Sequence, residues 1–334
     1  MTSRDVRVGF IGSGFARRVQ LPALALVPGT RPTAVASGHR ANAEAVAREF
    51  GLPHVFTDGT ELARSPDVDL VIVSSTPDTH ARYAIAALEA GKHVLCEKPI
   101  GLNAAEVVEL MRVRDRINVK IGEAFMVKTH QQWLRVRELI RSGKIGQLKS
   151  IITVFSYFNR DPGNVRHKPE WGGGGLLDIG SYPITLSRWL FDEEPKRVTG
   201  ALELDPGFGT DRLASGIMEF SSGHSVFFCG TQTNYFQRME ILGTTGRLAV
   251  EIPFNAPSDR ATQITVADGM AIYNGRVEVE EIPACDQYTI QGDAFSRAIR
   301  EDTEVPVPLE DAHANMKVID AVFRSAKTNQ WERP

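Results

Sequence analysis

Three residues whose side chains suit proton transfer at an oxygen stand far apart in the chain: Lys98, Asp178 and Tyr182. Lys98 follows an apolar run in Leu95-Cys96-Glu97-Lys98-Pro99. A lysine there is a fixed positive charge whose N–H groups can hold a substrate oxygen. Asp178 and Tyr182 are four residues apart and share a face if a helix begins here. Pro183 is compatible with that helix only inside its first turn. Just upstream runs Gly172-Gly173-Gly174-Gly175. Such a run serves packing poorly and suits a backbone that passes close to a ligand or to another strand.

A second constellation is built to take a phosphate. Val8-Gly9-Phe10-Ile11-Gly12-Ser13-Gly14-Phe15-Ala16-Arg17 lies where a first strand turns into a first helix. Gly12 allows the tight turn, Gly14 lets the backbone approach a pyrophosphate, and the helix start offers free N–H groups. The third small residue of such a turn is due at Arg17, and Ala16, one residue early, takes its role. The next strand ends at Ala36-Ser37-Gly38-His39-Arg40, with no acidic residue to hold a ribose 2′-hydroxyl. Ser37 can donate to a 2′-phosphate and Arg40 can pair with it, which favours NADP over NAD. The other reading is an exposed turn in which Arg40 simply opens the next helix.

The elements that must position these residues follow from periodicity. Apolar runs predict strands at Val6–Ile11, Thr33–Ser37, Leu70–Ser74, His93–Cys96 and Lys120–Ala124. Helical patterns between them stop at Gly51 and Gly91, and Asn103 with Glu106 forms a capping box for another. This alternation predicts a doubly wound parallel sheet, a Rossmann domain, over residues 1–122. From 123 to 334 the pattern predicts an α+β domain. A helix over Gln131–Ser142 precedes strands at Ser150–Tyr157, Arg197–Leu204, Leu213–Phe220, His224–Thr231, Met239–Leu242 and Arg247–Ile252. Helices near Tyr288–Arg300 and Leu309–Thr328 finish it. Its sheet is expected to be largely antiparallel and open on one face.

Composition narrows the class of function. A formal net charge of −3 gives no electrostatic footprint for nucleic acid. The basic residues Arg135, Arg137, Arg141 and Lys144 read as a solvated helix face. The three cysteines, Cys96, Cys229 and Cys285, form no paired motif, which fits a reducing compartment. His93 and Cys96 are no metal pair, since residues three apart on a strand point to opposite faces. The first strand begins too early for a signal peptide, and no apolar stretch is long enough to span a bilayer. A cytoplasmic protein without a resident metal or membrane contact is expected.

Together the Gly12/Gly14 turn, Thr76-Pro77-Asp78-Thr79-His80, Glu97-Lys98-Pro99 and the Gly-rich Asp178…Tyr182 segment resemble the glucose–fructose oxidoreductase/inositol dehydrogenase/MocA family. Tyr182 stands where many members carry histidine. In this it is similar to the branch with NADP-linked D-xylose dehydrogenases and dimeric dihydrodiol dehydrogenase, as is Phe155-Ser156-Tyr157-Phe158-Asn159-Arg160-Asp161-Pro162 with Asn164-Val165-Arg166. The chain departs from the family in His130-Gln131, which lacks a following proline, and in a nucleotide loop one residue short beside Phe15. The resemblance implies an NAD(P)-dependent oxidoreductase for a carbohydrate-like alcohol or carbonyl. It places Gly12, Gly14, Phe15, Ala16, Ser37, His39, Arg40, Thr76, Pro77, His80, Glu97 and Lys98 around the cofactor.

Oxidising an alcohol requires loss of the hydroxyl proton as hydride leaves carbon. Tyr182 is expected to exchange that proton. A phenol with a pKa of about 10 needs help to ionise, and the Lys98 ammonium and the nicotinamide charge supply it. Asp178 would hold Lys98 or a second sugar hydroxyl, and Asn164 and Arg166 the substrate rim or cofactor. His80 reads as a helix-start residue supporting the nucleotide loop. Two rivals remain: a ketosugar reductase, on a free or nucleotide-linked sugar, and a non-catalytic NADP-binding regulator. Apolar residues on both faces of Ser225-Val226-Phe227-Phe228-Cys229 predict a homodimer or homotetramer formed through the second sheet.

Overall fold

Short, continuously apolar segments build the first sheet. They are β1 (Val6–Ile11), β2 (Thr30–Ala36), β3 (His54–Phe56), β4 (Leu70–Val73), β5 (His93–Glu97) and β6 (Ile121–Ala124). In the computed structural model, which describes residues 5–269 and 276–334, all six run parallel in the order β3-β2-β1-β4-β5-β6. Every residue of β4 is buried, as a strand covered on both faces requires. The order reverses between β1 and β4, the switch point beyond which such sheets take ligands. The connecting helices are α1 (Leu21–Leu24), α2 (Arg40–Phe50), α3 (Gly59–Ala63), α4 (Pro77–Glu89) and α5 (Ala104–Arg116). The Asn103 side chain accepts from the Glu106 N–H at 3.0 Å. Glu106 reaches back to the N–H of Leu102, one residue earlier than a reciprocal box would place it.

The second sheet follows α6 (Gln131–Arg141). Its strands are β7 (Leu148–Phe158), β8 (Arg197–Leu204), β9 (Asp211–Glu219), β10 (His224–Gly230), β11 (Gln232–Gly243), β12 (Gly246–Val250), β13 (Thr262–Asp268) and β14 (Val277–Ile282). They lie in the order β14-β13-β12-β11-β7-β10-β9-β8. Among the described residues only the β7–β10 pair is parallel, so the sheet is largely antiparallel as expected. Three features differ from the expected strands. β11 extends across Gln232–Gly243 rather than four residues, while β13 and β14 were not anticipated. Val277 and Val279 are both 53% exposed beside alternating glutamates. β14 alternates, but with the faces inverted, its valines outward and Glu278 and Glu280 half-buried, and its charges protect a sheet edge. α7 (Ser181–Phe191) enters between β7 and β8.

The chain ends with α8 (Gln287–Arg300) and α9 (Leu309–Thr328). It divides into two compact units, Met1–Thr129 with Asp286–His313, and His130–Cys285 with Ala314–Pro334. Phe295 of α8 joins Val8, Phe10, Leu70, Ile72 and Leu95 in the core of the first unit. Gly122 accommodates this return, since a Cβ there would sit 2.8 Å from the Val307 carbonyl and 3.0 Å from the Phe295 ring.

Candidate active site

In the first unit the nucleotide turn is shaped by sterics. Gly12 has φ of +101°, and a Cβ on it would lie 2.5 Å from the Ser74 carbonyl, so only glycine fits. A Cβ on Gly14 would meet nothing within 4 Å. Its backbone is therefore open, as a pyrophosphate lying against it requires. The helix that follows opens with a π-turn, Ala16–Gln20, before α1. That wider turn places Ala16 in the core at 0% exposure, while Arg17 points out and pairs with Glu49 at 2.6 Å. Phe15 packs edge-on against Tyr288, centroids 5.6 Å apart.

At the end of β2 the Ser13 hydroxyl donates to the Ser37 hydroxyl at 3.2 Å, and Ser37 accepts the His39 N–H at 3.4 Å. His39 is the N-cap of α2 and Arg40 its first residue, with the guanidinium on Glu44 at 2.8 Å. Arg40 therefore both opens the helix and stands exposed beside Ser37 in sequence. These residues fit a 2′-phosphate, since three exposed or half-buried positions carry a hydroxyl, an imidazole and a guanidinium with no acid in the helix's first turn.

The Lys98 turn leaves the carboxyl end of β5 and is fastened at three points. Gln20 donates to Glu97 at 2.8 Å. His80, 1% exposed, sets Nδ1 2.8 Å from the Pro99 carbonyl and Nε2 3.1 Å from the Ser75 carbonyl. Glu123 accepts the Ile100 N–H at 2.9 Å. Both His80 nitrogens face acceptors, so a neutral ring satisfies only one of them, and burial pushes its pKa down. Burial pushes the Glu97 carboxyl up to about 7, against the pull of Lys98. Thr76 stands at the N-cap position of α4 without a side-chain capping bond, and Pro77 sits in its first turn. His80 thus ties the α4 start to the lysine turn.

In the second unit the glycine run is explained by close packing. A Cβ on Gly173 would lie 2.7 Å from the Arg166 carbonyl and 2.8 Å from that of Lys168. Gly174 has φ of +118°, and its Cβ would collide with the Asp211 carboxylate. Of the two readings of the run, a neighbouring chain segment supplies the crowding. Asp211, 4% exposed, accepts the Leu176 N–H at 2.6 Å. It thereby holds the start of a π-turn, Leu176–Gly180, that leads into α7. Burial raises the Asp211 carboxyl to about 7 despite these N–H donors.

That turn presents Asp178, and α7 presents Tyr182, with Pro183 in the first turn of α7. Asp178 is gripped by Arg166, Nε at 2.6 Å and Nη2 at 3.2 Å, and accepts the Tyr157 hydroxyl at 2.6 Å. Asn164 caps the short turn that aims Arg166, accepting its N–H at 3.1 Å. Burial and the neighbouring Asp178 carboxylate push the Tyr157 phenol well up, and Asp178 raises Arg166. Tyr182 is 6% exposed, with Phe155 edge-on at 5.8 Å and Phe254 at 5.3 Å. The roles of Tyr157, Asp211 and Glu123 were not foreseen. Only Glu123 carried a signal, an acid inside an apolar strand.

Comparison with known proteins matches this arrangement. Residues 6–125 fit the model described as an oxidoreductase family with an NAD-binding Rossmann fold. Residues 133–249 fit the GFO/IDH/MocA C-terminal domain. An uncharacterized oxidoreductase of Rhizobium meliloti is 36% identical over 98% of both chains. The D-xylose 1-dehydrogenase (NADP(+)) 2 of Haloferax volcanii is 31% identical over 88% of this chain and 89% of its own. A 3-ketoreductase from Actinomadura kijaniata, solved with NADP and TDP-benzene, superposes with a TM-score of 0.89 at 29% identity, over 96% of this chain and 98% of its own. Both the nucleotide half and the half that carries Asp178 and Tyr182 thus match one lineage, and the chain belongs to the GFO/IDH/MocA family of oxidoreductases.

Proposed function

We propose that the protein is an NADP(H)-dependent oxidoreductase that interconverts a carbohydrate-like alcohol and its carbonyl. The observation that carries this reading is the Lys98 turn, anchored by Gln20, His80 and Glu123 at the carboxyl edge of a Rossmann sheet. Similarity over nearly the whole chain to an NADP-linked xylose dehydrogenase and a 3-ketoreductase supports it. NADPH, when bound against the Gly12–Gly14 turn, supplies the hydride. Lys98 donates to the carbonyl oxygen as negative charge develops there, the role a fixed cation performs best. Tyr182 gives that oxygen its phenolic proton, and takes it back in the oxidative direction. Phe155 and Phe254 wall the Tyr182 ring and keep water from it. Asp178, fixed by Arg166 and Tyr157, anchors the turn that leads into the helix of Tyr182.

Following NADPH absorbance against a panel of aldoses, inositols and ketosugars tests the proposal. Turnover of at least one supports it. Tight NADPH binding with no turnover on any compound favours the cofactor-sensing rival. The 3-ketoreductase likeness favours a second substrate class, nucleotide-linked ketosugars, and their inclusion in the panel decides between the two.

We infer further that the open face of the second sheet joins copies of the chain. Ile217, Val226 and Ile152 register side by side across β9, β10 and β7 and are 37%, 40% and 45% exposed. An apolar row of this kind favours burial against a like surface. Light scattering checks it, and a monomeric mass at micromolar concentration contradicts it. The proposed compartment is the cytoplasm, where the free thiols of Cys96, Cys229 and Cys285 stay reduced. Among the described residues no helix is long and apolar enough to cross a membrane.

A further inference from the structure

The start of β11 brings a second tyrosine to the sheet face that carries Phe155. Pairing with β7 slips between Gln232 and Phe236, so Thr233, Asn234 and Tyr235 stand opposite Tyr157 alone. Such a bulge re-aims side chains, and the Ser156 hydroxyl pins it by donating to the Asn234 carbonyl at 2.7 Å. Tyr235 is 56% exposed. Beyond it Gln237, 7% exposed, lies opposite Phe155. The Gln237 amide oxygen accepts the N–H groups of Phe254 at 3.0 Å and Asn255 at 3.2 Å. Those two donors fix which end of the amide faces them, so its nitrogen faces the Tyr235 hydroxyl and donates to it at 2.6 Å. One side chain thus ties Tyr235 to Phe254, whose ring lies 5.3 Å from that of Tyr182. Because the Tyr235 oxygen accepts from Gln237, its own hydrogen points elsewhere, and no acceptor among the described residues takes it.

We propose that Tyr235 is a specificity-determining residue that touches the substrate, donating its hydroxyl hydrogen to a sugar oxygen and packing its ring on the sugar, with Gln237 as its positioning residue. The proposal rests on the functional reading above for the class of substrate, a polyhydroxylated one. A polyol offers acceptor oxygens around a C–H face, and a half-exposed tyrosine with an uncommitted hydrogen meets both. Gln237 does two things at once: it holds the Phe254 backbone beside Tyr182 and turns the Tyr235 hydrogen outward.

The probes are D-xylose, myo-inositol and TDP-glucose, titrated into the NADPH-saturated protein with isotope-labelled tyrosine rings. The Tyr235 resonance is assigned by its loss in Tyr235→Phe. At least one probe should shift it, and no shift with any of them overturns the proposal. For a probe that binds, Tyr235→Phe should weaken the Kd about two- to tenfold, the worth of one neutral hydrogen bond. Gln237→Glu separates contact from structure. A carboxylate still accepts both backbone N–H groups but cannot donate, so the Tyr235 hydroxyl turns inward to it. Affinity should fall as far as in Tyr235→Phe although the ring stays, and the double variant should be no weaker than either single one. An unchanged Kd in Tyr235→Phe, or additive losses in the double variant, overturns the proposal. Should Gln237→Glu not fold, the Tyr235→Phe comparison still decides. Turnover separates the two ideas: shifts at Tyr235 with no turnover anywhere in the sugar panel remove the functional reading and leave this contact standing. Turnover of a probe with the Tyr235 signal unmoved does the reverse.

Discussion

Arg166 and Asp178 are locked fork to carboxylate, Nε to one oxygen at 2.6 Å and Nη2 to the other at 3.2 Å. The Tyr157 hydroxyl adds a third bond at 2.6 Å. We propose that an aspartate held at both oxygens serves to orient its neighbours. Arg166→Lys keeps the charge and loses the planar fork, so it is not a conservative change. Its kcat should fall about tenfold or more, close to that of Arg166→Met, with NADPH affinity unchanged. Full turnover in Arg166→Lys would show that charge alone suffices.

Gly174 tests the glycine run. Alanine there must adopt φ of +118° and collide with Asp211. Strain and overpacking together should cost about 2–4 kcal/mol, visible as a drop in the denaturation midpoint. Gly38, whose Cβ would meet nothing within 4 Å, is the control, and Gly38→Ala should leave the midpoint nearly unchanged. Equal midpoints for both variants would remove the packing explanation.

The buried carboxyls set a pH dependence of stability. Glu123 and Asp211 both have folded pKa values raised to about 7. A raised value means the folded state binds the proton more tightly. The resulting stability is present below about pH 4 and is lost as pH rises through 7. Glu123→Gln removes this loss. Relative to wild type, the variant should gain up to about 3 kcal/mol between pH 5 and pH 8. Urea denaturation at the two pH values reads the difference, and a gap that does not change with pH refutes the assignment.

Cofactor choice is predicted to rest on Ser37 and Arg40. NADP(H) should bind more tightly than NAD(H), and Arg40→Ala should lose about tenfold for NADPH, the worth of one charge-assisted bond. NADH binding should hardly move. Tryptophan fluorescence titration checks this, and equal loss for both cofactors would place Arg40 elsewhere.

How much of this was legible depends on the range of the interactions. The Gly12–Gly14 turn, five of the six strands of the first sheet and the span of α9 are written in local periodicity and caps and stand close to where the sequence puts them. The three-residue β3 was too short to show a period. β11 was read short because Thr233, Asn234, Gln237 and Arg238 break the apolar pattern, although the backbone pairs with β7 from Gln232 onward. The Arg166–Asp178 lock, the Asp211 cap on Leu176 and the return of Phe295 to the first core join residues 12, 35 and more than a hundred positions apart. No window of local sequence records such pairings. The glycine run announced a close approach, and only the fold says to what.

Turnover of Tyr182→Phe tests the central claim most directly. Phenylalanine keeps the ring that packs against Phe155 and Phe254 and loses only the hydroxyl. If Tyr182 exchanges the proton, kcat should fall roughly 10²–10⁴-fold, with NADPH affinity within twofold of wild type. Lys98→Met should cost at least as much, since it removes the fixed cation proposed to meet the charge that develops on the reacting oxygen. Near-wild-type kcat across the pH range in Tyr182→Phe would contradict the account.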